Sequence, residues 1–210
     1  DNKAAVALTP SGQPEVMRLG DIVDSSPISV AAPVDAYDRL SQDQSYRTFR
    51  DHYRERRQVV YVGSNDGMIH AFNGGFFDDS EKDADGKTIR QFKLSKNSAT
   101  SHPLGAELWA YIPKNLLPHL QWGARTDYTH VFTMDQTPRI FDAKIFADDT
   151  DHPGGWGTVL VQGMRLGGGT DATKISIDVN ADGSIATNGA ETTKSAYVLL
   201  DITNPEVPPK

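Results

Sequence analysis

Val59-Val60-Tyr61-Val62-Gly63-Ser64-Asn65-Asp66-Gly67-Met68-Ile69-His70-Ala71-Phe72-Asn73 is the stretch that decides the fold. Its first five residues are β-branched and aromatic but for the closing glycine, and Met68, His70 and Phe72 alternate with Ile69, Ala71 and Asn73, the period-two pattern of a half-buried strand. Between the two runs, Asn65-Asp66-Gly67 supplies residue types that tolerate positive φ and close a tight hairpin. Downstream, Glu107-Leu108-Trp109-Ala110-Tyr111-Ile112-Pro113 gives a third strand that carries a tryptophan.

Working outward, Leu19 to Ala31 reads as a turn followed by a strand, with Pro27 at its edge, where a missing N–H does least harm. From Ser41 to Arg57 the period becomes helical: Tyr46, Phe49 and Tyr53 share one face, with charged residues on the others. Arg54, Arg56 and Arg57 fit either an anion site or, more simply, a solvated helix end, where positive charge is favoured. Gly74 to Gly105 is a polar insertion between strands that should be neighbours. Pro113 to Leu120 reads as a short helical turn with Leu116, Leu117 and Leu120 turned inward.

A second unit opens with a strand at His130-Val131-Phe132-Thr133-Met134, turns at Asp135-Gln136-Thr137-Pro138, and continues as strands at 139–146, 156–163 and 195–202, with a second insertion before the last. This order of strand, Asn-Asp-Gly turn, strand and Leu-Trp strand predicts an all-β fold, a partial β-propeller with quinoprotein-like blades and helical and loop insertions. The organisation expected is an arm over residues 1–18 and the N-terminal part of a propeller over 19–210. Blade one covers about 26–113. Blade two covers about 130–205 and is incomplete, because the chain stops at Lys210 before its last strand. Such a chain should leave unpaired strand and an apolar blade face open.

Composition agrees: of 210 residues 38% are hydrophobic, and 18 Gly and 12 Pro provide turns for many short strands. A formal net charge of -7 argues against nucleic acid as a partner, since phosphate binding needs a surplus of Lys and Arg on one face. The sequence has no apolar run of membrane-spanning length. It begins Asp1-Asn2-Lys3, with neither initiator Met nor signal peptide, as expected of a processed product or a fragment. Without cysteine there are no disulfides or thiolate metal sites.

Asp178-Val179-Asn180-Ala181-Asp182-Gly183 is the most chemical element: oxygen ligands at Asp178, Asn180 and Asp182, with Gly183 at the sharp turn, match the first half of a calcium loop. The twelfth position is Gly189 and the nearest acid Glu191, so a ligand must come from elsewhere. The same residues also read as a hairpin turn joining Ile175-Ser176-Ile177 to Ser184-Ile185-Ala186. Asp79 to Gly86 carries a weaker version of this pattern, with Phe92 where a bidentate acid belongs, and reads as a solvated acidic loop. The six histidines never stand at the three- or four-residue spacing of a zinc helix. His70 reads as a packed or hydrogen-bonded strand residue, and Asp148, Asp149, Asp151 and His152 as a polar turn. Gly163 to Thr170 lacks the Gly-Lys-Ser/Thr ending of a phosphate loop, and no Gly-x-Ser-x-Gly elbow occurs.

Taken in order, these motifs resemble the opening of the propeller domain of the PilC/PilY family of type IV pilus proteins. The resemblance rests on Leu19-Gly20-Asp21-Ile22 with Ser26-Pro27, on Tyr46 and Phe49 leading into Val59 to Phe72, and on Glu107 to Pro113 followed by Leu116-Leu117-Pro118. Trp156 to Val161 and Ala196 to Pro205 continue it, so that it spans about residues 19 to 205 apart from the insertions. It departs at Asp135-Gln136-Thr137-Pro138, where the family has Asp-Gly-Ser-Pro, and at 163–194, where the family has a shorter glycine turn. The resemblance implies a secreted, non-enzymatic protein at the pilus tip that promotes assembly, counters retraction and mediates adhesion. Its implied partners are minor pilins, a host or abiotic surface, and the rest of the propeller or a chain that completes it. The family's calcium loop lies in a later blade that nothing here matches, so calcium at Asp178, Asn180 and Asp182 is an expectation of this sequence alone. A different class, part of a pyrroloquinoline quinone dehydrogenase, shares the blade motif with its Trp109 and would require a cofactor pocket and a calcium cluster with a catalytic Asp.

Overall fold

The computed structural model describes residues 6–8, 14–16, 19–93, 102–124, 126–127, 129–168, 174–176, 190–192 and 195–210. In chain order these form β1 (Val6–Leu8), β2 (Pro14–Val16), β3 (Ile28–Val30), α1 (Tyr37–Leu40), α2 (Gln44–His52), β4 (Gln58–Gly63), β5 (Ile69–Asp78), β6 (Gln91–Lys93) and β7 (Glu107–Tyr111). A 3-10 helix (Lys114–Ala124), β8 (Arg139–Lys144), a 3-10 turn (Pro153–Gly155), β9 (Trp156–Gly163), β10 (Lys174–Ser176), β11 (Ala190–Thr192) and β12 (Tyr197–Asp201) follow.

The quoted hairpin is the centre of the first sheet. β4 and β5 pair antiparallel from Val59↔Asn73 to Gly63↔Ile69; the Gly67 N–H donates to Ser64 O at 3.2 Å, and Gly67 takes a φ of 93°, which only glycine adopts without strain. β3 pairs with β4 and β7 with β5, giving the antiparallel order β3-β4-β5-β7, with β6 added along the far end of β5. The second sheet runs β8-β9-β12. Asp201 and Lys210 also exchange both backbone hydrogen bonds, at 2.9 and 3.3 Å, so Lys210 forms one more rung beyond β12. β1 pairs with β2, and β10 with β11.

The two sheets meet face to face. Val59, Tyr61, Ile69 and Ala71 from the first and Leu160 and Leu200 from the second share one core with Leu116, Met134 and Met164, and Trp109 packs against it. Burying each large aliphatic side chain here stabilises by about 1.5–3 kcal/mol. Alternation puts Phe141, Tyr197 and Leu199 on the opposite face of the second sheet, where they are exposed.

The predicted helix forms as α2, capped by Asp43, whose carboxylate accepts from Ser45 N at 2.8 Å. Hydrogen bonding from the Ser45 hydroxyl, helped by Lys144, brings the Asp43 carboxyl down to about 2. Tyr46, Phe49 and Tyr53 pack on Trp156 of the second sheet, and Trp156 Nε1 donates to Ser45 Oγ at 3.0 Å. An excursion between strands of the first sheet thereby clamps the second. Gly154, with a φ of 67°, lies so close that a Cβ would stand 2.6 Å from Cβ of Ser45.

Two expectations need correction. His130 to Met134 is not a strand, because Thr133 is tied to the first sheet's turn: its N–H donates to Asn65 Oδ1 at 3.0 Å and its hydroxyl to Ser64 O at 3.1 Å. Leu117 and Leu120 face outward, 46% and 43% exposed, while Leu116 is fully buried; a 3-10 helix repeats every three residues, so 117 and 120 share an edge that 116 does not. Within the 74–105 insertion, β5 runs on to Asp78 and folds back as β6. Among the described residues no helix is long and apolar enough to cross a membrane.

Candidate functional site: the junction between the sheets

Asp178, Asn180 and Asp182, and with them Ser184-Ile185-Ala186, lie outside the described residues; the nearest described elements are β10 and β11, which pair with each other. The Asp79 to Gly86 loop is described, and two of its acids, Glu81 and Asp83, bind groups of the protein itself. Asp83 Oδ1 accepts from the N–H groups of Asp85 and Lys87 at 3.0 and 2.8 Å, while Glu81 binds Gln91 and Lys93. Among the described residues no group of three or more His or acidic side chains is placed to hold a metal.

Two histidines are instead clamped between carboxylates. His70 is 5% exposed, with Nδ1 2.5 Å from Glu107 Oε1 and Nε2 3.0 Å from Asp66 Oδ2. Burial pulls its pKa down, but hydrogen bonds to Asp66 and Glu107 outweigh that and leave it raised. Asp66 Oδ2 also accepts from Gly20 N at 3.1 Å, so the turn, β5, β7 and the incoming chain are joined. His152 bonds Asp149 and Asp201 at 2.9 and 3.0 Å and stacks on Phe146. It fastens the loop before β9 to β12.

The arginines after α2 are the largest departure from the sequence reading. Arg54 is exposed, but Arg57 is buried: Nε and Nη2 grip the Glu206 carboxylate at 2.8 and 2.9 Å and Nη1 donates to Asn73 Oδ1 at 2.7 Å. Arg56 donates to Ala31 O, to Thr158 Oγ1 at 2.8 Å and to Thr203 O at 3.3 Å. Thr158 in turn donates to Asp142 Oδ1 at 2.7 Å, and the Tyr46 hydroxyl to Asp142 Oδ2 at 2.8 Å. Burial raises the pKa of Asp142 and that of Tyr46. Neither arginine is a solvated helix end; together they rivet α2, both sheets and the C-terminal segment. Arg56 also borders two grooves, one of about 330 Å³ between β3 and β8 and one of about 750 Å³ beside Phe77 and Phe92.

The junction itself is built from a repeat. Asp24-Ser25-Ser26-Pro27 leads into β3 and Asp135-Gln136-Thr137-Pro138 into β8. The two leaders bond to each other in step: Asp24 N donates to Asp135 Oδ1 (3.2 Å), Ser25 Oγ to Gln136 O (3.2 Å) and Ser26 N to Thr137 Oγ1 (3.0 Å), all with the same offset of 111 residues. Arg165 Nη1 lies 2.6 Å from Asp24 Oδ1. Comparing Asp-x-(Ser/Thr)-Pro segments along the chain would have exposed this repeat; the carboxylate clamps on His70 and His152 left no such signal, because the second acid of each, Glu107 and Asp201, is far away in sequence.

Antiparallel sheets stacked face to face, each entered through the same leader, define the β-propeller class. Within it, the chain belongs to the family described as the PilY1 beta-propeller domain, whose model matches residues 19–195. It is similar to the type IV pilus biogenesis factor PilY1 of Pseudomonas aeruginosa strain UCBPP-PA14, 32% identical over 157 residues, covering 71% of this chain and 10% of that protein. A PilY1 homolog of Xylella fastidiosa is 29% identical over 156 residues, again covering 71% of this chain and 10% of the relative. The chain thus spans about a tenth of the length of these curated relatives. The crystal structure of the Pseudomonas aeruginosa PilY1 C-terminal domain aligns over 85% of this chain and 24% of its own, with 23% identity and a TM-score of 0.41.

Proposed function

We propose that this chain contributes two consecutive blades to a non-enzymatic pilus factor that acts outside the cell at the tip of type IV pili, promoting assembly, countering retraction and taking part in adhesion. Membership of the PilY1 beta-propeller family carries this reading, and the open face of the second sheet supports it. Phe141, Tyr197 and Leu199 form an apolar surface, and such a patch marks a contact with further protein; the remaining blades, or a partner chain, cover it. Minor pilins are the proposed partners of the assembled tip. Deleting the parent gene in a host with working retraction should remove surface pili seen by electron microscopy, and blocking retraction should restore them; normal piliation in the deletion strain would contradict the proposal.

Calcium is proposed at Asp178, Asn180 and Asp182, whose oxygen ligands at alternate positions before Gly183 suit that ion. Calorimetric titration with calcium chloride should show binding that Asp178→Asn with Asp182→Asn removes. An unchanged isotherm in the double variant would assign the heat elsewhere.

A further inference from the structure

The leaders of the two sheets bring two carboxyl groups together in a place that cannot hold two negative charges comfortably. Asp135 is 1% exposed; its Oδ1 accepts from Asp24 N, and its Oδ2, buried, has no donor among the described residues. An ionised carboxylate can only accept, and a buried oxygen left without a partner costs about 1–3 kcal/mol. The residue bonded to this carboxyl is itself an acid: the Asp24 N–H donates to Asp135 Oδ1 at 3.2 Å. One proton resolves both problems: a protonated Asp135 becomes a donor, and the carboxylate of Asp24 its acceptor.

We propose that Asp24 and Asp135 share a single proton, and that this proton clasps the leader of the first sheet to the leader of the second. The charges then balance locally, because two carboxyls with one proton carry one negative charge and Arg165, 2.6 Å from Asp24, carries one positive. Uncharged groups make the remaining bonds among the described residues: Ser25, Ser26, Gln136 and Thr137 tie the leaders, and Ser64 and Asn65 hold Thr133 beside them. Ahead of the leaders, Asp21 Oδ2 lies 3.5 Å from His130 Nδ1, both side chains partly exposed. Burial raises the pKa of Asp135, while the bond from Arg165 lowers that of Asp24, so the two are driven apart as acid and conjugate base. A raised carboxyl contributes stability that is complete below its unfolded pKa of about 3.9 and is lost as pH rises through the folded value. The clasp therefore loosens toward high pH, independently of any role in the pilus.

The test is a carbon-detected NMR titration of the aspartate side chains in the intact chain. The expected result is a second carboxyl, besides buried Asp142, that keeps its proton above the ordinary aspartate range and loses that transition in Asp135→Asn, whose amide donates at every pH. Thermal unfolding of Asp135→Asn should then match the wild type in acid and exceed it as pH rises. If every aspartate other than Asp142 titrates within or below its ordinary range, the shared proton does not exist. If calcium chloride or magnesium chloride alone shifts the Asp24 and Asp135 signals, the junction holds a cation instead. Should Asp135→Asn fail to fold, the wild-type titration decides by itself.

Discussion

The two sheets begin alike and end differently. Each is entered through an Asp-x-(Ser/Thr)-Pro leader, and each has a histidine held between two carboxylates. The first sheet, however, is a complete four-strand meander with a hairpin extension, stitched to its incoming chain through Asp66 and Gly20. The second has β9 buried almost throughout, yet its flanking strands turn Phe141, Tyr197 and Leu199 to solvent. One face of the second sheet is thus core and the other presents exposed apolar side chains. In a stack of sheets the same strand supplies both, because successive side chains point to opposite sides.

The sharpest way to break this contrast is to truncate on both faces. Leu160→Ala, in the shared core, should cost about 3 kcal/mol in urea unfolding, while Leu199→Ala should change the isolated chain by no more than about 0.5 kcal/mol. Equal effects would mean that the outer face is not open. Next in size is the rivet between sheets: Arg57→Met should cost about 2 kcal/mol, less than a fully enclosed pair because Glu206 is 42% exposed. The equivalent change at exposed Arg54 should be nearly silent.

The histidine clamp of the first sheet gives a pH signature. The His70 pKa is raised, so its contribution is complete below the unfolded value of about 6.5 and is lost as pH rises through the folded one. The wild type should lose its advantage over His70→Gln in melting temperature across that rise; parallel profiles would remove the clamp from the account. The smallest expected effect is Thr137→Val, which deletes the acceptor for Ser26 N in an exposed junction and should cost about 0.5 kcal/mol.

What could be read from the sequence was local. The β4–β5 hairpin, the helix carrying Tyr46 and Phe49, and strands β9 and β12 announced themselves through period and turn chemistry. Motif order carried the fold class. Thr133 and Arg57 defeated the reading for one shared reason: Asn65 and Ser64 for one, and Glu206 for the other, are distant in sequence, and no spacing rule links them. Leu117 and Leu120 failed for a different reason, since a 3-10 helix and an α-helix carry the same leucines but turn them differently. The leader repeat was legible in Asp24 and Asp135, but the bonding between the leaders was visible only once both sheets were in place.

Sedimentation velocity on the isolated chain, beside a Phe141→Asp, Leu199→Asp variant, tests the central claim most directly. The open face of the second sheet should make the wild-type chain associate as its concentration rises, and the variant should remain monomeric with an unchanged melting temperature. A wild-type chain that stays a monodisperse, cooperatively folding monomer at every concentration would contradict the claim that this face exists to be covered.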